Sequence, residues 1–273
     1  MPELPEVESI KRTLAKNVLG KRITDAKIFW PSAVISVPGV DFVELIKDKV
    51  IEGLDRRGKY LLLHLDNNFT LIIHFRMTGR LVYYKEKGTV DKHTHVVFYL
   101  EQGELHYSDI RKFGRIQIVS TQNIYTVPFL AKLGPEPLDA TFNFTVLGQR
   151  LAKKKTNIKA ALLDQKVLAG LGNIYTDEAL FKAGILPTRN VGSLKVSEII
   201  LLYDSICEVL KEGIKAGGTS FRDYRDADGN MGLFQKSLMV YGRAGQACKV
   251  CGQKLTKAKV AGRTTVYCSD CQK

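Results

Sequence analysis

The chain has 273 residues, 45% of them hydrophobic and 25% charged, a globular composition that excludes a disordered or low-complexity polymer. No apolar run approaches the ~18 residues that span a bilayer and no leader precedes the opening MPELPEV, so the cytoplasm is expected rather than a membrane or the exterior. Lys and Arg number 41 against 28 acids, a formal net charge of +13; with no amphipathic anchor or lipidation signal, that excess favours nucleic acid over a membrane surface.

In chain order, MPELPEV sets Pro2-Glu3 and Pro5-Glu6 at the terminus, where proline restricts φ and limits fraying. Two readings are open: a stiff lead into a helix, or a terminus that is itself a reagent. Next, EVESIKRTLAKNVLG spaces Val7, Ile10, Leu14 and Val18 along one helical face, with Gly20 at the stop. From about residue 22 to 120 the chain is a series of short β-like runs: YLLLHLD, FTLIIHF, RLVYYKE, THVVFYL, ELHYSD and RIQIV. Asp-Asn-Asn, Thr-Gly and Gln-Gly divide them, and a sandwich or barrel is the natural reading.

LGPEPL (133–138) punctuates the chain as a domain joint. Helical patterns follow in FTVLGQRLAKKK, IKAALLDQKVL, YTDEALFKAG and 196–216, and then a Gly-rich polar segment, GGTSFRDYRDADGNMG, long enough to be a functional loop. Cys207 falls among Ile199, Tyr203, Ile206, Leu210 and Ile214 at helical spacing, where an inert core thiol is expected. AGLGNIYTDEAL (169–180) puts a glycine turn before a helix, which serves either as a phosphate-facing helix start or as a plain helix connection.

The last segment is the most specific. CKVC (248–251) and CSDC (268–271) are two C-x2-C knuckles separated by 16 residues, the donor set of a tetrahedral zinc site at Cys248, Cys251, Cys268 and Cys271. A disulfide pair is disfavoured in the cytoplasm. Four sulfur ligands leave no position for water or substrate, so this zinc is expected to be structural. The intervening QKLTKAKVAGRTTVY reads as a hairpin about a Val-Ala-Gly turn, a zinc ribbon with Arg263 beside its tip.

MPELPEV, RRGKYL (56–61), HFRMTGR (74–80), DIRKFG (109–114), LGPEPL, GLGNIYTDEALF and the terminal VAGRTTVYC…C ribbon occur in that order from end to end. This series closely resembles the formamidopyrimidine-DNA glycosylases, bacterial base-excision enzymes for oxidised purines. The resemblance implies an α+β multidomain fold: an N-terminal β-sandwich or barrel with an N-terminal helix over 1–132, and a linker and first helix over 133–150. It further implies a helical helix-two-turn-helix domain over 151–240 with a lesion loop at 217–237, and a β-hairpin zinc ribbon over 241–273.

The resemblance also implies roles for single residues. Pro2, freed of Met1, is the nucleophile at the sugar carbon C1′, and Glu3 is the acid/base there. Lys59 assists elimination as a proton donor and phosphate contact, and Arg263 serves the δ-elimination step. Met77 and Phe113 are wedges entering the base stack, with Arg111 pairing to the orphaned base. His74, His93, Lys154 or its neighbours in AKKKT, and Asn173 bind DNA. Glu6, Thr219 and Tyr241 line the lesion pocket. His95, two residues on from His93 in the same run, is expected to be structural. A monomer bound to oxidised double-stranded DNA near the nucleoid, with one zinc and no nucleotide cofactor, completes the expectation. The sister endonuclease VIII branch, which prefers oxidised pyrimidines, and a non-catalytic zinc-ribbon damage binder are the alternatives; a zinc hydrolase is weaker, because four thiolates close the metal.

Overall fold

The computed structural model describes all 273 residues and divides into two compact units, residues 1–131 with 216–233, and residues 132–215 with 234–273. The first unit opens with α1 (Leu4–Val18), where the backbone N–H of Glu3 donates to Glu6 Oε2 at 2.8 Å, half of a capping box that satisfies an otherwise orphaned donor. Val7, Ile10, Leu14 and Val18 are fully buried, as their spacing predicts; each contributes about 1.5–3 kcal/mol relative to exposure.

Nine strands follow: β1 (Arg22–Ile28), β2 (Val34–Ile35), β3 (Lys49–Arg57), β4 (Tyr60–Leu65), β5 (Phe69–His74), β6 (Gly79–Tyr84), β7 (Thr94–Leu100), β8 (Glu104–Asp109) and β9 (Arg115–Ser120). They form one sheet in the order β2-β9-β5-β4-β3-β1-β7-β8-β6, antiparallel except for β2 beside β9. The short α2 (Phe42–Ile46) precedes β3, and α3 (Pro128–Ala131) follows β9.

The long strand β3 joins the two halves of the sheet: its start pairs with β1 at Lys49 and Val50, and its remainder pairs with β4 as far as Arg57. Leu61, Leu63, Leu71 and Ile73 from one half share a single core with Val96, Phe98, Leu105 and Tyr107 from the other and with the apolar face of α1. This is the expected β-sandwich. Two of its longer strands are absent from the β-like runs read in the sequence, because RITDAKI and KVIEGLDRR break up their apolar residues with charges.

The Gly-rich segment at 216–233 packs with this first unit, whereas the sequence places it with the helical domain. Tyr224 and Ala227 enter the sandwich core, the Tyr83 N–H donates to the Ala227 carbonyl at 2.8 Å, and Thr219 N–H donates to Glu6 Oε1 at 2.7 Å. Burial pushes the Tyr224 phenol up and the neighbouring Glu6 carboxylate adds to the effect, so Tyr224 stays a neutral donor to the carbonyls of Glu6 and Gly217.

The second unit holds α4 (Phe144–Ala152), α5 (Ile158–Leu163), α6 (Asn173–Lys182), α7 (Val196–Lys215) and a hairpin of β10 (Thr256–Val260) and β11 (Arg263–Tyr267). Tyr175 of α6 stacks on Phe234 and passes so close to Gly213 of α7 that a Cβ there would lie 2.5 Å from the Tyr175 ring. Cys207 donates to the Pro137 carbonyl, and burial pushes its thiol up, consistent with an inert thiol. Lys159 and Asp177, both fully buried, pair between α5 and α6, and Lys159 Nζ also donates to Thr265 Oγ1 of β11 at 2.7 Å. Removing either charge strands the other in the interior, at roughly 3–5 kcal/mol.

Ala261 and Gly262 close the hairpin with φ of +51° and +71°. A Cβ disfavours that region, so Ala261→Gly is expected to stabilise the ribbon by up to about 1 kcal/mol, read as a raised chelator concentration for zinc loss.

Candidate active site and metal centre

Pro2 is buried at the start of α1 while Met1 is exposed. Glu3 and Glu6 are almost fully buried beside it. One Glu6 oxygen takes the Glu3 N–H and the other takes Thr219 N–H, so a single carboxylate ties the terminus to the 216–233 segment. Gly218 makes this approach possible: its φ is +86°, and a Cβ would lie 2.9 Å from Glu6 Cγ. Of the three expected pocket residues, Glu6 and Thr219 therefore meet. Tyr241 lies in the second unit, where it, Val240 and Met239 donate backbone N–H groups to the buried carboxylate of Glu178.

Lys59 occupies the two-residue turn between β3 and β4, buried apart from a few per cent of its surface. Gly58 supplies the positive φ, +56°, that the first central position of such a turn favours. A charged chain positions this turn. Glu8 of α1 accepts from Arg56 Nε at 3.1 Å, and Arg56 Nη1 donates to the Gly58 carbonyl at 3.1 Å. Burial alone would raise the Glu8 carboxyl, but Arg12, Lys11 and Arg56 together hold it below the ordinary carboxylate range. Sequence reasoning missed Glu8 and Arg56, whose only signal was an acid facing inward on α1.

His74, at the end of β5, packs its ring 4.5 Å from Tyr60. Burial, with the charges of Arg76 and Lys59, pushes it down to about 3, so it is neutral at physiological pH. Its Nδ1 lies 3.3 Å from the Arg76 N–H and accepts from it, which leaves Nε2–H as the outward donor. The native state disfavours imidazolium, so this residue's contribution to stability is complete above about 6.5 and is lost as pH falls from there towards 3. Between pH 6 and 4.5 the loss is expected to approach about 1.4 kcal/mol per pH unit, and His74→Asn is expected to flatten that slope in urea unfolding.

Met77 sits exposed on the β5–β6 turn, and Arg111 and Phe113 sit exposed on the β8–β9 turn, with the Arg111 guanidinium 4.6 Å above the Phe113 ring. His93, in the turn before β7, is half-buried and its carbonyl accepts the Asp109 N–H; His95, inside β7, is buried with Nε2 2.7 Å from the Asp109 carbonyl. This structural placement comes from the turn and not from strand alternation, since residues two apart share a face. Asp109 went unremarked in the sequence, although an Asp opening DIRKFG at a strand end is a turn-forming signal.

In the second unit, Asn173 opens α6, and its Nδ2 donates to the Thr264 carbonyl at 2.9 Å, next to Arg263. Arg263 itself is exposed at the start of β11. Lys154 is paired with Asp164 at 2.7 Å, so Lys153 and Lys155 are the exposed cations of AKKKT.

The sulfurs of Cys248, Cys251, Cys268 and Cys271 all lie within 4.8 Å of one another. The Cys248–Cys271 and Cys251–Cys268 separations are 3.9 and 3.5 Å, close to the tetrahedron edge of about 3.8 Å implied by Zn–S bonds of ~2.3 Å. The donor set and spacing fit zinc. Phe181, Val240, Leu255 and Val266 pack around the cluster.

Residues 1–116 match the formamidopyrimidine-DNA glycosylase N-terminal domain, 133–225 the H2TH domain of the same enzymes, and 245–273 the zinc finger found in FPG and IleRS. A formamidopyrimidine-DNA glycosylase from Desulfitobacterium hafniense is 53% identical over 272 residues, covering all of both chains. The chain belongs to the formamidopyrimidine-DNA glycosylase family. Formamidopyrimidine-DNA glycosylases are DNA repair enzymes that are both glycosylases and abasic-site lyases, so the fold of this chain is that of a DNA-binding repair enzyme with one structural zinc. Two solved structures of the Lactococcus lactis enzyme are similar, each 39% identical over 99% of both chains. One is bound to N7-benzyl-Fapy-dG DNA (TM-score 0.93) and one to DNA with an abasic site (0.92). No helix is long and apolar enough to cross a membrane.

Proposed function

We propose that this chain excises oxidised purines, 8-oxoguanine and formamidopyrimidines, from duplex DNA through the amine of Pro2, and then cuts the strand by β- and δ-elimination. The observation that carries this reading is the terminus: Pro2 heads a capped helix flanked by the buried carboxyls of Glu3 and Glu6.

Once Met1 is removed, the Pro2 nitrogen is a secondary amine with an ordinary pKa near ~8, so a useful fraction is neutral at physiological pH. It bonds to C1′ as the C1′–base bond breaks and the base leaves with a proton. Glu3 moves protons at the sugar. The C1′–O4′ bond then opens, O4′ leaving as a hydroxyl with a proton delivered at the sugar, and because nitrogen already carries two ring carbons the C=N bond so formed is a cationic iminium. That electron sink acidifies the C2′ hydrogen, whose loss expels the 3′-phosphate; a second elimination expels the 5′-phosphate, and water then frees Pro2. Lys59 protonates and contacts phosphate at this stage, and Arg263 supports δ-elimination.

Extrusion of the damaged nucleotide costs roughly a few kcal/mol, and Met77, Phe113 and Arg111 fill the vacated stack. Neutral His74 gives a phosphate a hydrogen bond through Nε2–H without adding charge, while His93, Asn173 and the cations around Lys154 anchor the backbone. Glu6 and Thr219, with Tyr241, hold the extruded base. The zinc, held by Cys248, Cys251, Cys268 and Cys271, supplies fold alone. The enzyme works as a monomer on cytoplasmic, nucleoid-associated DNA.

The test is to incubate the protein with duplex carrying 8-oxoguanine opposite cytosine, reduce with borohydride, and map the adduct by mass spectrometry. An adduct on the peptide beginning at Pro2 supports the reading. Adducts with oxidised pyrimidines alone move the chain to the endonuclease VIII branch. Binding without adduct or cleavage, in protein lacking Met1, leaves a damage binder.

A further inference from the structure

The turns that carry Met77 and Arg111–Phe113 belong to different connections, β5–β6 and β8–β9, each joining strands that are not neighbours in the sheet, yet one side chain holds both. Asp109, at the end of β8, is 1% exposed. Its Oδ1 accepts from Thr78 Oγ1, in the β5–β6 turn, and from the Arg111 N–H at 3.1 Å. Its Oδ2 accepts from the N–H groups of Phe113 and Gly114 at 2.9 and 2.8 Å. Thr78 Oγ1 in turn accepts the Arg111 N–H at 3.0 Å, closing a ring between the turns. The Asp109 backbone holds His93 and His95 as well.

The surrounding turns are strained towards this arrangement. Arg76 and Lys112 adopt φ of +51° and +58°, unfavourable for side chains with a Cβ. At Gly114 a Cβ would lie 1.9 Å from Tyr107 Oη and 2.8 Å from the His74 carbonyl, so the β8–β9 turn closes onto the strand end bearing His74. Carboxylate acceptors aimed at backbone N–H groups make the stronger class of hydrogen bond and fix position more firmly than neutral ones. The exposed wedge side chains thus rest on a buried, fully used anion.

We infer that Asp109, through Thr78, is a positioning residue that locks the two wedge turns into one rigid element, so that Met77, Arg111 and Phe113 enter the stack together. The inference rests on the wedge roles proposed above. A rigid wedge matters when a base must be driven out of the helix; it matters far less when the damaged nucleotide has already lost its base.

The experiment therefore compares two substrates for each variant: duplex with 8-oxoguanine opposite cytosine, and the same duplex with a preformed abasic site. Asp109→Asn and Thr78→Val are expected to slow single-turnover excision of the paired lesion by roughly tenfold or more, the rate equivalent of one lost charge-assisted hydrogen bond. Cleavage and borohydride trapping at the abasic site are expected to stay within about threefold of the parent on the same scale. Thr78→Ser, which keeps the hydroxyl, is expected to restore the parent rate. Equal losses on both substrates, or no loss on either, would overturn the inference. If Asp109→Asn does not fold, the Thr78 pair decides alone. Failure of the parent protein to trap at an abasic site would instead sink the proposed function.

Discussion

Protein that retains Met1, or carries any uncleavable residue before Pro2, is expected to lose excision and strand cleavage by on the order of 10³-fold or more. An acylated proline nitrogen has its lone pair in the amide and cannot attack C1′, whereas the free secondary amine can. The exposed Met1 and buried Pro2 show that one residue separates the blocked terminus from the proposed reactive one. Affinity for duplex containing a non-reactive abasic analogue is expected to change little, because none of the proposed phosphate contacts involves Met1. The measurement pairs intact-mass determination of the terminus with borohydride trapping on the same preparation. The trapping rate of processed protein is expected to rise with pH up to about 8, as the amine loses its proton, and then level off. Full activity from protein shown by mass to keep Met1 would eliminate Pro2 as the nucleophile.

The second large effect concerns the metal. Structural zinc in small four-cysteine units contributes an apparent ~10–16 kcal/mol, far more than the few apolar residues around this cluster supply. Chelation of zinc, or Cys268→Ala at its fully buried ligand, is expected to unfold the ribbon. With it go the Asn173–Thr264 hydrogen bond, the seat of Arg263 at the hairpin tip, and the Thr265 partner of buried Lys159. Duplex affinity is expected to fall roughly tenfold to hundredfold as phosphate contacts are lost, with a shallower salt dependence. Titration by fluorescence anisotropy at several salt concentrations, beside zinc content, measures this. Metal-free protein that binds duplex as tightly as the parent would show that the ribbon carries no binding.

Much of this protein is local and was therefore legible in order along the chain. The apolar period of α1, the runs that became β4 to β9, and the four helices α4 to α7 follow from side-chain spacing on elements that bury one face. The two C-x2-C knuckles fixed the metal centre for the same reason: each pair is a short-range geometry, and the hairpin between them brings the pairs together. The whole-length order of motifs carried the family, and with it the expected site residues.

Other features depend on partners distant in sequence. The Gly-rich 216–233 segment reads as a free loop, yet it is pinned to the first unit by Glu6, 213 residues before Thr219. The chain from Glu8 through Arg56 to the Lys59 turn crosses 48 residues, and no periodicity encodes it. His74 is a neutral donor only because Tyr60, Arg76 and Lys59 surround it in the folded protein. Asp109 is one acid among 28 in the sequence; folding gives it two turns to hold, because a buried carboxylate must collect donors from wherever the fold supplies them.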